Sequence, residues 1–119
     1  MRMINGEQCL MRIFLGEGDR WQHRPLSEAL VELFRRNNFA GVTVLHGVAG
    51  YGAHSVYHTD KLLELSTDLP VIIETVEERR RIELIMAEIN DMMSGGMITL
   101  EKVEVIRYPC GGRGEEEQS

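Results

Sequence analysis

Closely spaced glycines that follow an apolar, β-branched run have the clearest chemical use in this sequence. Residues 41–49 read Gly-Val-Thr-Val-Leu-His-Gly-Val-Ala and lead directly into Gly50-Tyr51-Gly52. Glycine has no Cβ, so it reaches positive φ and allows a backbone N–H to approach a ligand oxygen. Successive N–H groups of this kind form a concavity that binds anions. The run therefore predicts either an anion-binding loop or a sharp bend where a strand leaves a sheet.

Histidines near this run offer a second chemistry, the binding of a divalent metal. His54 and His58 are four residues apart, His46 lies nearby in sequence, and Asp60 adds an oxygen ligand. Imidazole and carboxylate groups are common ligands of transition metals. Loop histidines are more often solvated than metal-bound, so a metal site is the alternative to the anion-binding loop.

Four polar residues around one loop, Glu17, Asp19, Arg20 and His23, could do acid-base chemistry. Covalent catalysis needs a nucleophile next to its base, and the sequence pairs none. We therefore interpret these residues as a solvated polar loop and expect that the protein is not an enzyme.

The composition limits the class of protein. The chain has 119 residues, of which 43% are hydrophobic, and it contains no apolar run near the roughly 20 residues that cross a bilayer. A formal net charge of −6 argues against a nucleic-acid partner, because phosphates are bound by Lys and Arg. Cys9 and Cys110 do not have the spacing of a metal motif. We expect a cytoplasmic protein that does not insert into a membrane, with no signal peptide.

Apolar spacing predicts four strands and two helices in the order βαββαβ. The strands are expected over residues 9–15, 42–48, 69–74 and 98–106. Pro25 suits the first position of the first helix. Thr75, followed three residues later by Glu78, predicts a capping box at the start of the second helix.

This element order is that of a ferredoxin-like α+β sandwich, an antiparallel four-stranded sheet with two helices on one face. The strands have apolar side chains on both faces of the sheet. The face that the helices do not cover is therefore expected to pack against another copy of the chain. The predicted organisation is a polar lead-in over residues 1–8, one domain over residues 9–108 and a flexible acidic tail over residues 109–119.

The chain resembles the PII-like proteins of the domain of unknown function 190 (UPF0166) family, which are related to nitrogen regulatory PII signalling proteins. Gly50-Tyr51-Gly52 matches the Gly-Phe-Gly that follows the second strand in PII proteins, and the resemblance extends from Gly6 to about Ile106. Further matching segments span residues 10–21, 25–26, 47–55, 58–59, 65–74 and 100–106. The resemblance implies a ferredoxin-like homotrimer with ligand clefts between subunits.

In PII proteins, adenine nucleotides bind between the loop after strand two and the loop before strand four of the neighbouring subunit. The resemblance therefore implies a nucleotide-binding set of Thr43, Gly50, Gly52, Gly95, Gly96 and Arg107. Met97 stands where PII proteins have a lysine, and Pro109 stands where they have a second arginine. A cleft with so few cations favours AMP or ADP over ATP.

The resemblance also implies a signalling or regulatory role. Ligand binding would order the segment from Gly50 to Asp68, and a transporter or a metabolic enzyme would read the ordered loop. Divalent-cation tolerance proteins share the fold and the trimeric state. A metal-binding trimer of that kind is therefore the alternative function.

Overall fold

A computed structural model describes residues 4–50 and 68–110 of the chain. Within these residues, six strands and two helices follow in the order βββαββαβ. The strands are β1 (Gly6–Gly16), β2 (Arg20–Trp21), β3 (Arg24–Pro25), β4 (Thr43–His46), β5 (Pro70–Glu77) and β6 (Met97–Val105), and the helices are α1 (Leu26–Arg36) and α2 (Arg79–Met92). All six predicted elements are present.

The sheet has four strands in the order β4-β5-β1-β6, and every neighbouring pair is antiparallel. With two helices on one face, this is the predicted ferredoxin-like sandwich. The short hairpin of β2 and β3, between β1 and α1, was not predicted. Gln22 and His23 at its tip both have positive φ, as a tight hairpin turn requires.

The core lies between the sheet and the two helices. Alternate residues of β1 are buried, as are the apolar faces of α1 and α2, because side chains alternate along a strand and recur every three or four residues along a helix. Phe34 and Met11 are among the largest fully buried side chains. Each large apolar side chain buried here contributes about 1.5–3 kcal/mol to folding.

The capping-box prediction for α2 was wrong. Thr75 lies inside β5, where its hydroxyl donates a 2.5 Å hydrogen bond to the carbonyl of Gly41. Glu78 is instead the residue before the helix and makes no side-chain cap. The β-branched pair Thr75 and Val76 continues the strand, so β5 runs to Glu77, three residues beyond the predicted end.

Other boundaries also differ from prediction, most of the strand ends by only one or two residues. Pro25 precedes α1 as its N-cap residue instead of taking the first helical position. β1 begins at Gly6, inside the predicted lead-in, and Ile4 is already buried. These shifts leave the order of the elements unchanged.

Candidate functional site

The face of the sheet away from the helices is apolar and only half covered within one chain. Residues that pair across neighbouring antiparallel strands lie on the same face of the sheet. The residues that pair with the less buried residues of β1 therefore lie on this face as well. Along this open face, Phe14 pairs with Ile72 and with Met97, and Leu10 pairs with Val76. A half-buried apolar sheet face is a surface for association.

A charged cluster lies in the middle of the open face. The Arg12 Nε is 2.6 Å from Glu74 Oε2, and its Nη1 is 3.5 Å from Glu101 Oε1. The hydrogen bond that Arg12 donates to Glu74, together with the charges of the Glu74 and Glu101 carboxylates, raises the pKa of Arg12 above its ordinary value. The guanidinium therefore stays charged throughout the neutral range. An exposed ion pair contributes little to folding, whereas one covered by another subunit matters more.

Thr43 belongs to the same open face. It begins β4, the edge strand, and pairs with Glu74, which places it one strand from the charged cluster. Its side chain is exposed in the isolated chain. A ligand that contacts Thr43 would therefore lie over the edge of the open face.

Gly50 lies where the chain leaves β4 and passes close to the start of β5. We call this close approach of Gly47 and Gly50 to Pro70 the constriction. Gly47 N–H donates a 2.8 Å hydrogen bond to the carbonyl of Pro70, and Gly50 has φ +149°. A Cβ added at Gly47 or Gly50 would come within 2.9 or 3.0 Å of the Pro70 ring. The absence of a side chain therefore lets the segment after β4 turn closely over Pro70. Gly52 lies outside the described residues.

The loop after β1 is hydrogen-bonded to the residues just before Pro70. Sequence reasoning had not assigned this loop to the site. Glu17 N–H donates to the carbonyl of Leu69 at 2.8 Å, and Gly18 N–H donates to Asp68 Oδ1 at 3.1 Å. Asp68 directly precedes Leu69-Pro70 in one of the matching segments, which is the signal that could have identified it. Asp68 and Leu69, just before β5, are thus bound to this loop.

Gly95 and Gly96 form the turn between α2 and β6. Gly96 has φ +79°, and a Cβ there would collide with the backbone carbonyl oxygen of Phe14. Gly96 is therefore required by the fold itself, whatever it contributes to a ligand. Gly95 is half-buried beside it.

Arg107 lies at the opposite end of the sheet from these glycines. It follows β6, whose last residue, Val105, pairs with Gly6, whereas Met97 at the start of β6 pairs with Phe14. A strand advances about 3.4 Å per residue, so the two ends of β6, which follow Gly96 and precede Arg107, are roughly 27 Å apart. The structure places Gly50 and Gly96 at one end of the sheet but on opposite edges. One chain does not bring the predicted set together.

The residues considered for other chemistry serve local structure where they are described. Asp19 Oδ2 accepts a hydrogen bond from Gly16 N–H at 3.0 Å, and Arg20 donates to the carbonyl of His23 at 3.0 Å. His46 Nδ1 is 3.7 Å from Glu17 Oε2. Within residues 4–50 and 68–110, no three His, Cys, Asp or Glu side chains are grouped as a metal site, and His54, His58 and Asp60 lie outside that range. Neither described helix is long and apolar enough to cross a membrane.

Comparison with known proteins relates this architecture to one family. A model of the DUF190 family, described as uncharacterized ACR, matches residues 8–105. A UPF0166 protein of Aquifex aeolicus (strain VF5) is 36% identical over 106 residues, which cover 89% of this chain and 98% of that protein. A UPF0166 protein of Methanocaldococcus jannaschii is 28% identical over 99 residues, which cover 82% of this chain and 91% of that protein.

Solved structures show the same fold. CPII, a nitrogen regulatory PII-like protein from Thiomonas intermedia K12 bound to ADP, AMP and bicarbonate, matches with a TM-score of 0.60 at 16% identity, over 87% of this chain and 97% of that chain. The same protein without ligand matches with a TM-score of 0.59. At this identity the likeness concerns the fold.

Proposed function

The chain belongs to the DUF190 (UPF0166) family of PII-like proteins, and on that basis we propose that it is a signalling or regulatory protein. It binds a small anionic ligand, an adenine nucleotide, in clefts between the subunits of a cytoplasmic homotrimer. The segment between Gly50 and Asp68 is presented to a partner protein, such as a transporter or a metabolic enzyme. The protein has no catalytic role.

The observation that carries this proposal is the separation of the candidate residues within one chain. Gly50 and Arg107 lie at opposite ends of the sheet, and Gly96 lies across the sheet from Gly50. Only a second copy of the chain can complete a site that uses them all. The open face, with Phe14 and Ile72 half-buried, provides the surface on which copies can associate.

The proposed ligand follows from the small number of cations. Met97 and Pro109 provide no charge where PII proteins have a lysine and an arginine, so Arg107 is the cation assigned to phosphate. Its planar guanidinium can bind two phosphate oxygens at once. Glycine amides supply further donors without charge. This donor set suits AMP or ADP better than ATP, and CPII, which shares the fold, was crystallised with ADP and AMP.

Isothermal titration of the full chain with AMP, ADP and ATP tests the proposal. We expect saturable binding of AMP or ADP, and we expect Arg107→Gln to weaken it by about tenfold or more, because a charge-assisted hydrogen bond contributes roughly 1.5–3 kcal/mol. Arg24→Gln is the matched control, since Arg24 is exposed on β3 and belongs to no proposed site. Equal affinity in the two variants would remove Arg107 from the site.

The loop itself is tested by Gly50→Val. A β-branched residue at φ +149°, with its Cβ about 3.0 Å from the ring of Pro70, would redirect the chain at this constriction. We expect nucleotide binding to be lost while light scattering still gives the mass of the trimer. Normal nucleotide affinity in this variant would exclude the loop from the ligand site.

The alternative function, a divalent-metal-binding trimer, has one supporting observation. The His46 imidazole and the Glu17 carboxylate lie 3.7 Å apart at the constriction that leads into residues 51–67. Titration with zinc on the wild type and on His54→Ala/His58→Ala tests it. Metal binding that is lost in this variant, together with no response to nucleotides, would favour the alternative.

A further inference from the structure

The start of α2 carries charges that oppose the helix dipole. Arg79, Arg80 and Arg81 open the helix, and no acidic residue lies in its first turn. The N-terminal end of a helix carries partial positive charge, so acidic residues are favoured there and cations are disfavoured. Glu78 directly before the helix pairs with Arg81 at 4.0 Å and offsets part of this conflict. Local conflicts that stay uncompensated occur at functional sites.

The three arginines differ in how far they are already engaged. Arg79 Nε is 3.2 Å from Glu83 Oε2, one turn along the helix. Arg81 Nη1 donates a 3.0 Å hydrogen bond to the carbonyl of Asn37, which ties α2 to the end of α1, and its Nε is 4.0 Å from Glu78 Oε1. Arg80 is exposed and makes no ion pair within the described residues. Arg80 is thus the cation available to an external carboxylate.

Arg80 borders a concave surface, which we call the helix-end groove. The groove has a volume of about 330 Å³ and lies between the end of α1 and the start of α2. Its lining residues are Asn37, Phe39, Glu78, Arg80, Arg81, Leu84 and Ile85. Leu84, one turn after Arg80, is 72% exposed despite being a large apolar residue. An apolar surface beside cations reduces the screening of any ion pair formed there.

The end of the chain carries the complementary charge and starts nearby. Glu77 and Lys102 both pair with Cys9, so the start of α2 and the last part of β6 are only two strand spacings, roughly 10 Å, apart. The chain then continues past Val105 to Glu115-Glu116-Glu117. Ten extended residues span up to about 35 Å, which exceeds the distance required. Tethering also gives such a segment a high effective concentration.

We propose that the acidic segment Glu115–Glu117 binds the helix-end groove of the same chain, with a carboxylate on Arg80. Binding neutralises Arg80 and covers Leu84. This contact is independent of the proposed nucleotide site, and it would place the acidic segment where it competes with any acidic partner of the groove.

Paramagnetic broadening in the full-length chain tests this contact. Ser119→Cys in a Cys110→Ser background places a nitroxide near the acidic segment, while the buried Cys9 is left unlabelled. We expect broadening of the backbone amides of Arg80 and Leu84. The broadening should disappear in Glu115→Gln/Glu116→Gln/Glu117→Gln.

The two arginine variants serve as a matched pair. Arg80→Gln should remove the broadening of the Leu84 amide, because it deletes the free cation while leaving the bond from Arg81 to Asn37. Arg24→Gln deletes an exposed cation on β3, at the other end of the sheet, and should leave the broadening unchanged.

Three results would overturn the proposal. The first is no broadening at the groove in the wild type, and the second is the same broadening in the glutamine variants. The third is broadening of the groove amides that persists, on isotopically labelled chains that carry no spin label, when they are mixed with spin-labelled chains. That last result would assign the groove to a neighbouring subunit.

Discussion

Gly96→Ala separates what the turn before β6 does for the fold from what it could do for a ligand. Gly96 has φ +79°, and an added Cβ would collide with the carbonyl oxygen of Phe14 in the adjacent strand. This neighbour is backbone, so it cannot rotate away as a side chain could. Either β6 shifts relative to β1 or the turn changes its conformation.

The expected cost has two parts. A non-glycine residue held in the left-handed region costs about 1–3 kcal/mol. Overpacking against a fixed neighbour adds about 1–3 kcal/mol. We therefore expect Gly96→Ala to lower the free energy of unfolding by about 2–6 kcal/mol, which lowers the midpoint of thermal unfolding by about 10 °C or more. Urea unfolding should be measured at one fixed protein concentration, because assembly makes apparent stability depend on concentration.

Gly41→Ala is the matched control for this measurement. A Cβ at Gly41 would meet nothing within 4 Å, and its φ is outside the left-handed region. Alanine there should be neutral or stabilise by about 0.4–1 kcal/mol, because it restricts the unfolded chain. Equal stability of the Gly96→Ala and Gly41→Ala variants would refute the assignment of Gly96 to the fold, and any loss of ligand binding in Gly96→Ala would then report on the site.

Other substitutions test the packing around the site. Glu77→Gln should destabilise folding by about 1–3 kcal/mol in urea, because the buried carboxylate accepts 2.9 Å hydrogen bonds from the N–H groups of Ala40 and Glu78, and an amide cannot accept as many; an unchanged midpoint would contradict this. If the proposed assembly covers the open face, Arg12→Met should weaken it by about tenfold or more on dilution, because the substitution leaves two carboxylates unpaired on that face, whereas an unaffected oligomer would place the interface elsewhere. Because the pKa of Arg12 is raised in the folded chain, its contribution to stability is complete at every pH below the ordinary pKa of arginine. This contribution is lost only as the pH rises through the higher pKa of the folded state. Assembly measured between pH 6 and 9 should therefore show no titration of this residue.

The order of the elements was predictable because apolar periodicity records which face is buried. Ile82, Ile85 and Ile89 recur at helical spacing and are all buried in α2. Turn chemistry was harder to predict, since the β2–β3 hairpin places Gln22 and His23 at positive φ without the glycine or asparagine that usually signals such a turn. The capping box failed for a related reason, because Thr75 found a tertiary partner in Gly41 that no local pattern reveals.

The unusual backbone of two candidate residues was predictable from the sequence, whereas the contacts around them were not. The resemblance identified Gly50 and Gly96 as special, and both have positive φ in the structure. It could not show that Gly96 is already required by Phe14, nor that Asp68 holds the loop after β1. Both contacts join segments distant in sequence, and a single sequence contains no record of such pairs. The roles of the predicted residues toward a ligand stay a prediction.

In the proposed trimer, the separation of the candidate residues would link ligand binding to assembly. If Gly50 of one chain and Arg107 of another form one cleft, a dissociated chain has only half of the donors and binds weakly. By linkage, a ligand that binds only the assembled state stabilises that state, by about 2.7 kcal/mol per site at a ligand concentration 100 times the dissociation constant. Apparent affinity must therefore fall as the protein is diluted through its dissociation range. A regulator built in this way responds to its own concentration as well as to that of its ligand, because the same contacts hold the subunits together and complete the site.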